Sequence, residues 1–367
     1  MNTHKLAVIG VVLSIGIAGC TGIMGPDQTT PSTESAPTDT VEEVGTEGQQ
    51  SDQRTVSTTA ARTRVTDSTR ATETTEQTTD SDGDGLTNRQ EVSTYGTNST
   101  VADTDGDGLE DGAEINQYST NPLSSDTDGD GLTDGEEVNI HGTSPRKVDT
   151  DFDQFSDSLE VAAPPPIAEA DPLEKDIFVE IDYMAGQTPS IGSLERVAEQ
   201  FEKSPVKNPN GTTGINLHLV KSNKIEYRSQ TTPGMLNKTR QQHFDHQGQG
   251  YHYVVFVNSP VVEGEDVLGV ANLSVSNRQS AIRHYAHSNN NAEVFMHFLG
   301  HSLGLSPDDY VGIDSEEMSA EKYPSVMNFN AISSTKLAYL QYSNSSTYND
   351  WDQITHSRLN PTPSAFK

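Results

Sequence analysis

The distribution of apolar residues divides the chain into four stretches. Residues 6–18 form a continuous apolar run behind Lys5, the length of a secretory signal and too short for a spanning helix. Residues 21–79 carry almost no aliphatic or aromatic side chain, and 23 of these 59 positions are Ser or Thr. With so little to bury, nothing offsets the entropy of ordering, so a disordered stalk is expected here. From residue 80 to 160 an apolar residue (Leu86, Leu109, Leu132, then Phe155) returns at 23-residue intervals. Past a Pro-rich hinge at residues 162–172 the patterning becomes that of an ordinary globular domain. Alternation over 175–184 predicts a half-buried strand, apolar positions at helical spacing over 193–203 a helix, and 215–220 and 251–257 two further strands. A long helix is predicted over 291–303. This order of elements makes residues 167–367 an α/β (α+β) domain, so the chain is multidomain.

The 23-residue period is also a chemical one. The stretches DSDGDGLTNRQE, DTDGDGLEDGAE, DTDGDGLTDGEE and DTDFDQFSDSLE begin at Asp80, Asp103, Asp126 and Asp149. They are four copies of one unit, spanning residues 80–162. Carboxylates stand at loop positions 1, 3 and 5: Asp80, Asp82 and Asp84; Asp103, Asp105 and Asp107; Asp126, Asp128 and Asp130; Asp149, Asp151 and Asp153. Position 7, where a backbone carbonyl serves, is Leu86, Leu109, Leu132 or Phe155; position 9 is Asn88, Asp111, Asp134 or Asp157; position 12 is Glu91, Glu114, Glu137 or Glu160. Hard oxygen ligands at this spacing wrap a Ca²⁺, with glycine at position 6 for the sharp turn. The apolar residue falls at position 7 rather than 8, and too little chain separates the loops for paired helices, so these are not EF-hands. They resemble thrombospondin type 3 repeats, which implies an array of short turns stacked around the ions as a core. The fourth unit departs from the pattern, with Phe152 and Gln154 where the others have glycine. That loop is expected to bind loosely or to dock the repeats onto the domain beyond them.

Charge agrees with this picture. The chain carries 54 acidic and 23 basic residues, a net charge of −31. Residues 80–160 hold 21 of those acids and three bases. Such a balance excludes nucleic acid as a main partner and fits cation binding together with a salt-adapted, acidic surface. The single cysteine, Cys20, closes the run IAGC at the end of the apolar segment. That run resembles a lipobox, which implies a signal peptide over 1–19, lipid on the Cys20 thiol and a tethered linker over 20–79. The membrane would then be a partner and the outer face of the cytoplasmic membrane the location.

Near the end of the globular stretch the chain reads HFLGHSLGL. On a helix His297 and His301 share one face, where two imidazoles can hold one Zn²⁺. Gly304 permits a sharp turn, and Met327 follows in the frame SVMNF. Together these resemble the metzincin metallopeptidases, whose helix reads HExxHxxGxxH and whose Met-turn lies beneath the metal. The resemblance implies a zincin-like fold with zinc as a second cofactor. Three positions depart from it: Phe298 stands where the catalytic Glu belongs, Pro307 where the third ligand belongs, and Phe329 at the Met-turn aromatic. Asp308, beside Pro307, is the expected carboxylate substitute for the third ligand, whereas Glu293 lies too far along the helix axis from His301. A missing general base costs about 10²- to 10⁴-fold in rate, so impaired catalysis is expected and no catalytic residue is assigned. The sequence leaves open a surface module that binds a peptide or protein ligand, an active zinc peptidase with an atypical site, and a purely structural or adhesive role.

Overall fold

A computed structural model of the chain describes residues 78–164, 167–272, 279–283, 291–315, 317–332, 337–339, 348–356 and 359. The expected signal, lipidated Cys20 and nearly all of the stalk lie outside the described residues. No helix among the described residues is long and apolar enough to cross a membrane.

Each repeat folds as a loop followed by one helical turn. The turn Asn88–Gln90 runs into Glu91–Tyr95, and the same pair recurs at Asp111–Ala113 with Glu114–Tyr118 and at Asp134–Glu136 with Glu137–His141. The second half of each turn is wide: the Gly96 N–H reaches the Glu91 carbonyl at 2.7 Å and the Gly142 N–H the Glu137 carbonyl at 2.6 Å, five residues apart. Such widened turns are rare and cluster at functional positions. They close on a left-handed residue, Gly96 (φ 81°), Ser119 (φ 58°) or Gly142 (φ 74°), which ends the helix.

Units stack through a single joint. The second oxygen of each position-5 carboxylate caps the helical turn of the next unit. Asp84 Oδ2 accepts the Gly112 N–H at 3.0 Å, Asp107 Oδ2 the Gly135 N–H at 3.1 Å, and Asp130 Oδ2 the Ser158 N–H at 2.8 Å. Contact is so close that a Cβ on Gly112 would stand 2.0 Å from the Asp84 carbonyl oxygen, and one on Gly135 2.1 Å from that of Asp107. Arg89, the same position in the first unit, faces no preceding loop among the described residues and is exposed.

Beyond the hinge, β1 (Asp176–Met184), α1 (Ile191–Glu202), β2 (Asn216–Ile225), α2 (Pro233–His243) and β3 (His252–Val257) follow in order. The hairpin β4–β5 (Val261–Val262, Glu265–Asp266) precedes β6 (Gly269–Asn272) and β7 (Gln279–Arg283). Then come α3 (Asn291–Ser302), α4 (Phe329–Ile332) and α5 (Asp350–His356). The five-stranded sheet has the order β2-β1-β3-β7-β6, parallel except for β6, which runs antiparallel to β7. All twelve residues of α3 are buried, on the sheet face where Ile177, Val179 and Ile181 meet Leu194, Val197, Phe201, Phe295 and Leu299.

The expectation of a half-buried β1 does not hold. Its polar residues Asp176, Glu180 and Asp182 are fully buried, because the strand is central in a parallel sheet covered on both faces. Each carboxylate is satisfied there. Asp176 takes the His218 ring, Glu180 the backbone N–H groups of Asp245 and His246, and Asp182 the Tyr253 hydroxyl and the Asn223 N–H. Part of this second face is covered by the fourth repeat, where Phe155 packs edge-on against Phe178 at 5.3 Å, beside Ile167 and Tyr251. The fourth unit thus packs against the sheet through Phe155.

Candidate metal centres

In the four loops, position 1 helps to shape the turn. Asp80 accepts the Gly83 and Gly85 N–H groups, Asp103 those of Gly106 and Gly108, and Asp126 those of Gly129 and Gly131. Position 5 shapes it too, its first oxygen taking the N–H of Leu86, Leu109, Leu132 or Phe155. Position 3 takes a turn amide in two loops, where Asp128 and Asp151 accept the N–H groups of Asp130 and Asp153, and position 12 takes none. Both carboxylate oxygens of Asp82, Glu91, Asp105 and Glu160, and one each of Glu114, Asp128, Glu137 and Asp151, are buried without a hydrogen-bond partner. A buried carboxylate oxygen left unpaired is costly, and the remedy this geometry offers is a cation. Aspartates at 1, 3 and 5 stand within 4.8 Å of one another in each of the first three loops. The donor set fits Ca²⁺, all oxygen and flexible in arrangement.

Position 9 has a different place from the one its spacing suggests. Asp111 accepts the N–H and hydroxyl of Thr104 at 2.8 and 2.6 Å, and Asp134 and Asp157 bind Thr127 and Thr150 in the same way; in the first unit Asn88 meets Ser81. Asp111 also stands within 4.8 Å of Asp84 and Glu91 of the preceding unit, so this position belongs to the seam between units. In the ion-free protein, burial and then the neighbouring aspartates push Glu91 up to about 7. Burial raises Glu114 and Glu137 to about 8.

The second centre lies on α3. His297 Nδ1 faces the Val326 carbonyl at 3.0 Å and His301 Nδ1 the Leu305 carbonyl at 2.8 Å. A carbonyl only accepts, so Nδ1 is the protonated nitrogen in both rings and each Nε2 carries a lone pair. The two Nε2 atoms stand 3.2 Å apart, and Asp314 Oδ1 lies 3.2 Å from one and 3.1 Å from the other. Three acceptors that close repel unless a cation sits among them. The triangle nearly matches the edge of about 3.3 Å in a tetrahedron with 2.0–2.1 Å bonds, so the residues fit zinc. Burial lowers the His297 pKa, favouring the neutral ring a metal requires.

The third carboxylate is therefore Asp314 and not Asp308. Ser306 through Asp309 form a turn in which Asp308 and Asp309 are exposed, with the Asp308 N–H on the Ser306 hydroxyl and the Asp309 N–H on the Ser306 carbonyl. The chain returns to the histidines only at Asp314, which takes a left-handed conformation (φ 57°) and donates its N–H to the Met327 carbonyl at 2.9 Å. Aspartate is one of the few side chains that tolerate that backbone; no spacing rule in the sequence singles it out. Met327 is fully buried, and its sulfur would be 2.5 Å from a Cβ on Gly300. The glycine between the two histidines is thus what lets Met327 close under the helix.

Phe298 is 3% exposed and belongs to the apolar core, its ring 5.0 Å from that of His297. Phe329 packs on the other side of His297, also at 5.0 Å. Glu293 pairs with Arg196 of α1 at 2.8 Å. Among the described residues the group of His297, His301 and Asp314 contains one carboxylate, Asp314.

Residues 80–102, 103–125 and 126–145 match the bacterial TSP3 repeat. The TSP3 match points to Ca²⁺ as the ion of these loops; the fourth unit lies beyond it. No curated protein matches this chain. Among solved structures, the crystal structure of metalloproteinase-II from Bacteroides fragilis is similar at 12% identity, over 50% of this chain and 53% of that one, with a TM-score of 0.34. The chain thus spans about half the length of that structure.

Proposed function

We propose that this protein is a calcium-stiffened surface lipoprotein whose C-terminal domain holds zinc and binds a peptide or protein ligand without efficiently cleaving it. The observation that carries the reading is the pairing of an assembled His297–His301–Asp314 triad with a phenylalanine, Phe298, at the position of the general base. Zinc in the triad would supply Lewis-acid chemistry. The chain's own contribution is to fix both tautomers, to seat Asp314 through Met327, and to surround the site with Phe298 and Phe329. Among the described residues the group offers no second carboxylate to move a proton. The repeats hold Ca²⁺ through positions 1, 3, 5 and 12, and the IAGC sequence supports lipid on Cys20 and display on the outer face of the cytoplasmic membrane.

Metal analysis and a cleavage assay on the whole protein test this. The parent should bind zinc, His301→Ala should abolish that binding, and neither should cut an unstructured substrate such as casein. Phe298→Glu should restore zinc-dependent cleavage, up to about 10²-fold above the parent background, the lower end of what a general base contributes. A parent that already cleaves in a zinc-dependent manner makes the domain an active peptidase and overturns the proposal.

A further inference from the structure

The fourth loop has the poorest sequence of the four and the most deeply buried carboxylates. Phe152 and Gln154 replace glycines, yet they adopt φ of 67° and 89°, the left-handed backbone that the glycines of the other loops take. The turn therefore closes as in the others, with Phe152 N–H on Asp149 Oδ1 at 2.6 Å and Gln154 N–H on Asp149 Oδ2 at 2.9 Å. Two non-glycine residues in that region are held against their preference, so the surroundings over-determine the loop. Part of the restraint is the Phe152 ring, which lies under the ammonium groups of Lys147 and Lys175 at 4.8 and 5.9 Å.

Inside the turn, Asp151 is 1% exposed, Asp153 fully buried and Glu160 3% exposed. Both oxygens of Glu160 and Oδ2 of Asp151 are buried with no hydrogen-bond partner. The Lys175 ammonium acts on Asp151 but also sits over the Phe152 ring, which leaves Glu160 uncompensated. Aligned carboxylates of this kind, aimed inward and unpaired, call for a divalent cation.

The loop also ends the array in a distinctive way. Asp153 is its position-5 carboxylate, and Asp153 Oδ2 accepts the N–H of Asp176 at 2.8 Å. Asp176 is the first residue of β1, so the domain's central strand occupies the place that the next repeat's helical turn takes in the first three units. The opposite face of β1 packs through Ile177, Val179 and Ile181 into the cluster that contains α3.

We propose that Asp149, Asp151, Asp153 and Glu160 form a calcium site that locks the array to the C-terminal domain, so that its occupancy stabilises the domain carrying the zinc triad. The inference rests on the calcium-binding half of the proposed function and extends it from the repeats to the domain beyond them.

Trp351 is the only tryptophan of the chain and is buried against Phe201 and Tyr339 in the domain core, at ring distances of 5.3 and 4.9 Å. Its fluorescence therefore reports unfolding of that domain in the intact protein. The experiment follows the Trp351 urea midpoint in chelator and in Ca²⁺, with calcium stoichiometry by calorimetry, for the parent, Glu160→Gln, Asp151→Asn and Glu114→Gln. Calcium should raise the parent midpoint. Glu160→Gln and Asp151→Asn should each bind one ion fewer and lose most of that rise, while Glu114→Gln binds one fewer and keeps it. In chelator Glu160→Gln should fold at least as well as the parent, since an amide replaces a buried unpaired charge. A parent that binds calcium with its Trp351 midpoint unmoved defeats the inference and leaves the array reading standing, as does a Glu160→Gln protein with full stoichiometry. A parent that binds no calcium sinks both.

Discussion

At the scale of single residues, this molecule depends on places where a side chain must be absent. Gly112 and Gly135 press so closely on the preceding loop that any Cβ meets a carbonyl oxygen. Gly300 gives Met327 room between the two histidines. Gly112→Ala forces the joint between the first and second units apart, at an overpacking cost of about 1–3 kcal/mol. Because the Gly112 N–H is what Asp84 caps, the substitution should weaken calcium binding at the first loop, read by calorimetry as a loss of affinity of about tenfold for each 1.4 kcal/mol. Arg89→Ala, at the same position of the first unit, where no loop precedes among the described residues, should leave the affinity unchanged. Equal effects from the two substitutions would mean that the joint does not carry the stacking.

At the scale of the element, a repeat is a loop and one helical turn, with Leu86, Leu109 or Leu132 as its one deeply buried aliphatic anchor. Such a unit cannot fold on apolar burial, so the ion and the neighbouring unit must supply what is missing. Raised carboxylates determine how the ion-free array responds to pH. Glu114 and Glu137 ordinarily titrate near 4.5 and reach about 8 in the fold, chiefly through burial. A raised carboxyl contributes stability to the ion-free fold that is complete below pH 4.5 and lost as pH rises through 8. Hydrogen exchange over residues 80–145 in the whole protein, corrected for intrinsic rate, should therefore show little protection in chelator at pH 8 and more at pH 5. Saturating Ca²⁺ should protect the same residues at both. Equal protection at pH 8 with and without calcium would show that the array does not need the ion.

At the scale of the whole molecule, the described residues run from acidic joint to acidic joint and then into the central strand of the sheet. The segment before them, residues 21–79, is the length of chain that would separate a lipid on Cys20 from the first loop. Cys20→Ser should release the protein into the medium or leave it unprocessed, judged by fractionation and by mass of the mature chain. A variant that still sediments with membranes at the processed size would argue against lipid as the anchor.

Much of this protein is written in its sequence because the relevant chemistry is local. A 23-residue period with Asp at 1, 3 and 5 and Glu at 12 defines a loop whose ligands lie within twelve residues, so spacing alone delivers the site. The pair His297 and His301 is equally local, since one helical turn places both rings on one face. Strand β1, α1, β3 and α3 follow from periodicity, which records burial along one element. Tertiary structure alone decided what depends on segments far apart in the chain meeting. Asp314 joins the histidines because its backbone is tied to Met327, and Asp308 is left in an exposed turn although it stands nearer in sequence. The position-9 acids serve the seam rather than only their own loops. The acids of β1, which alternation assigned to solvent, are buried because a repeat and the segment after α2 cover that face, and a strand's own pattern cannot record what will be packed upon it.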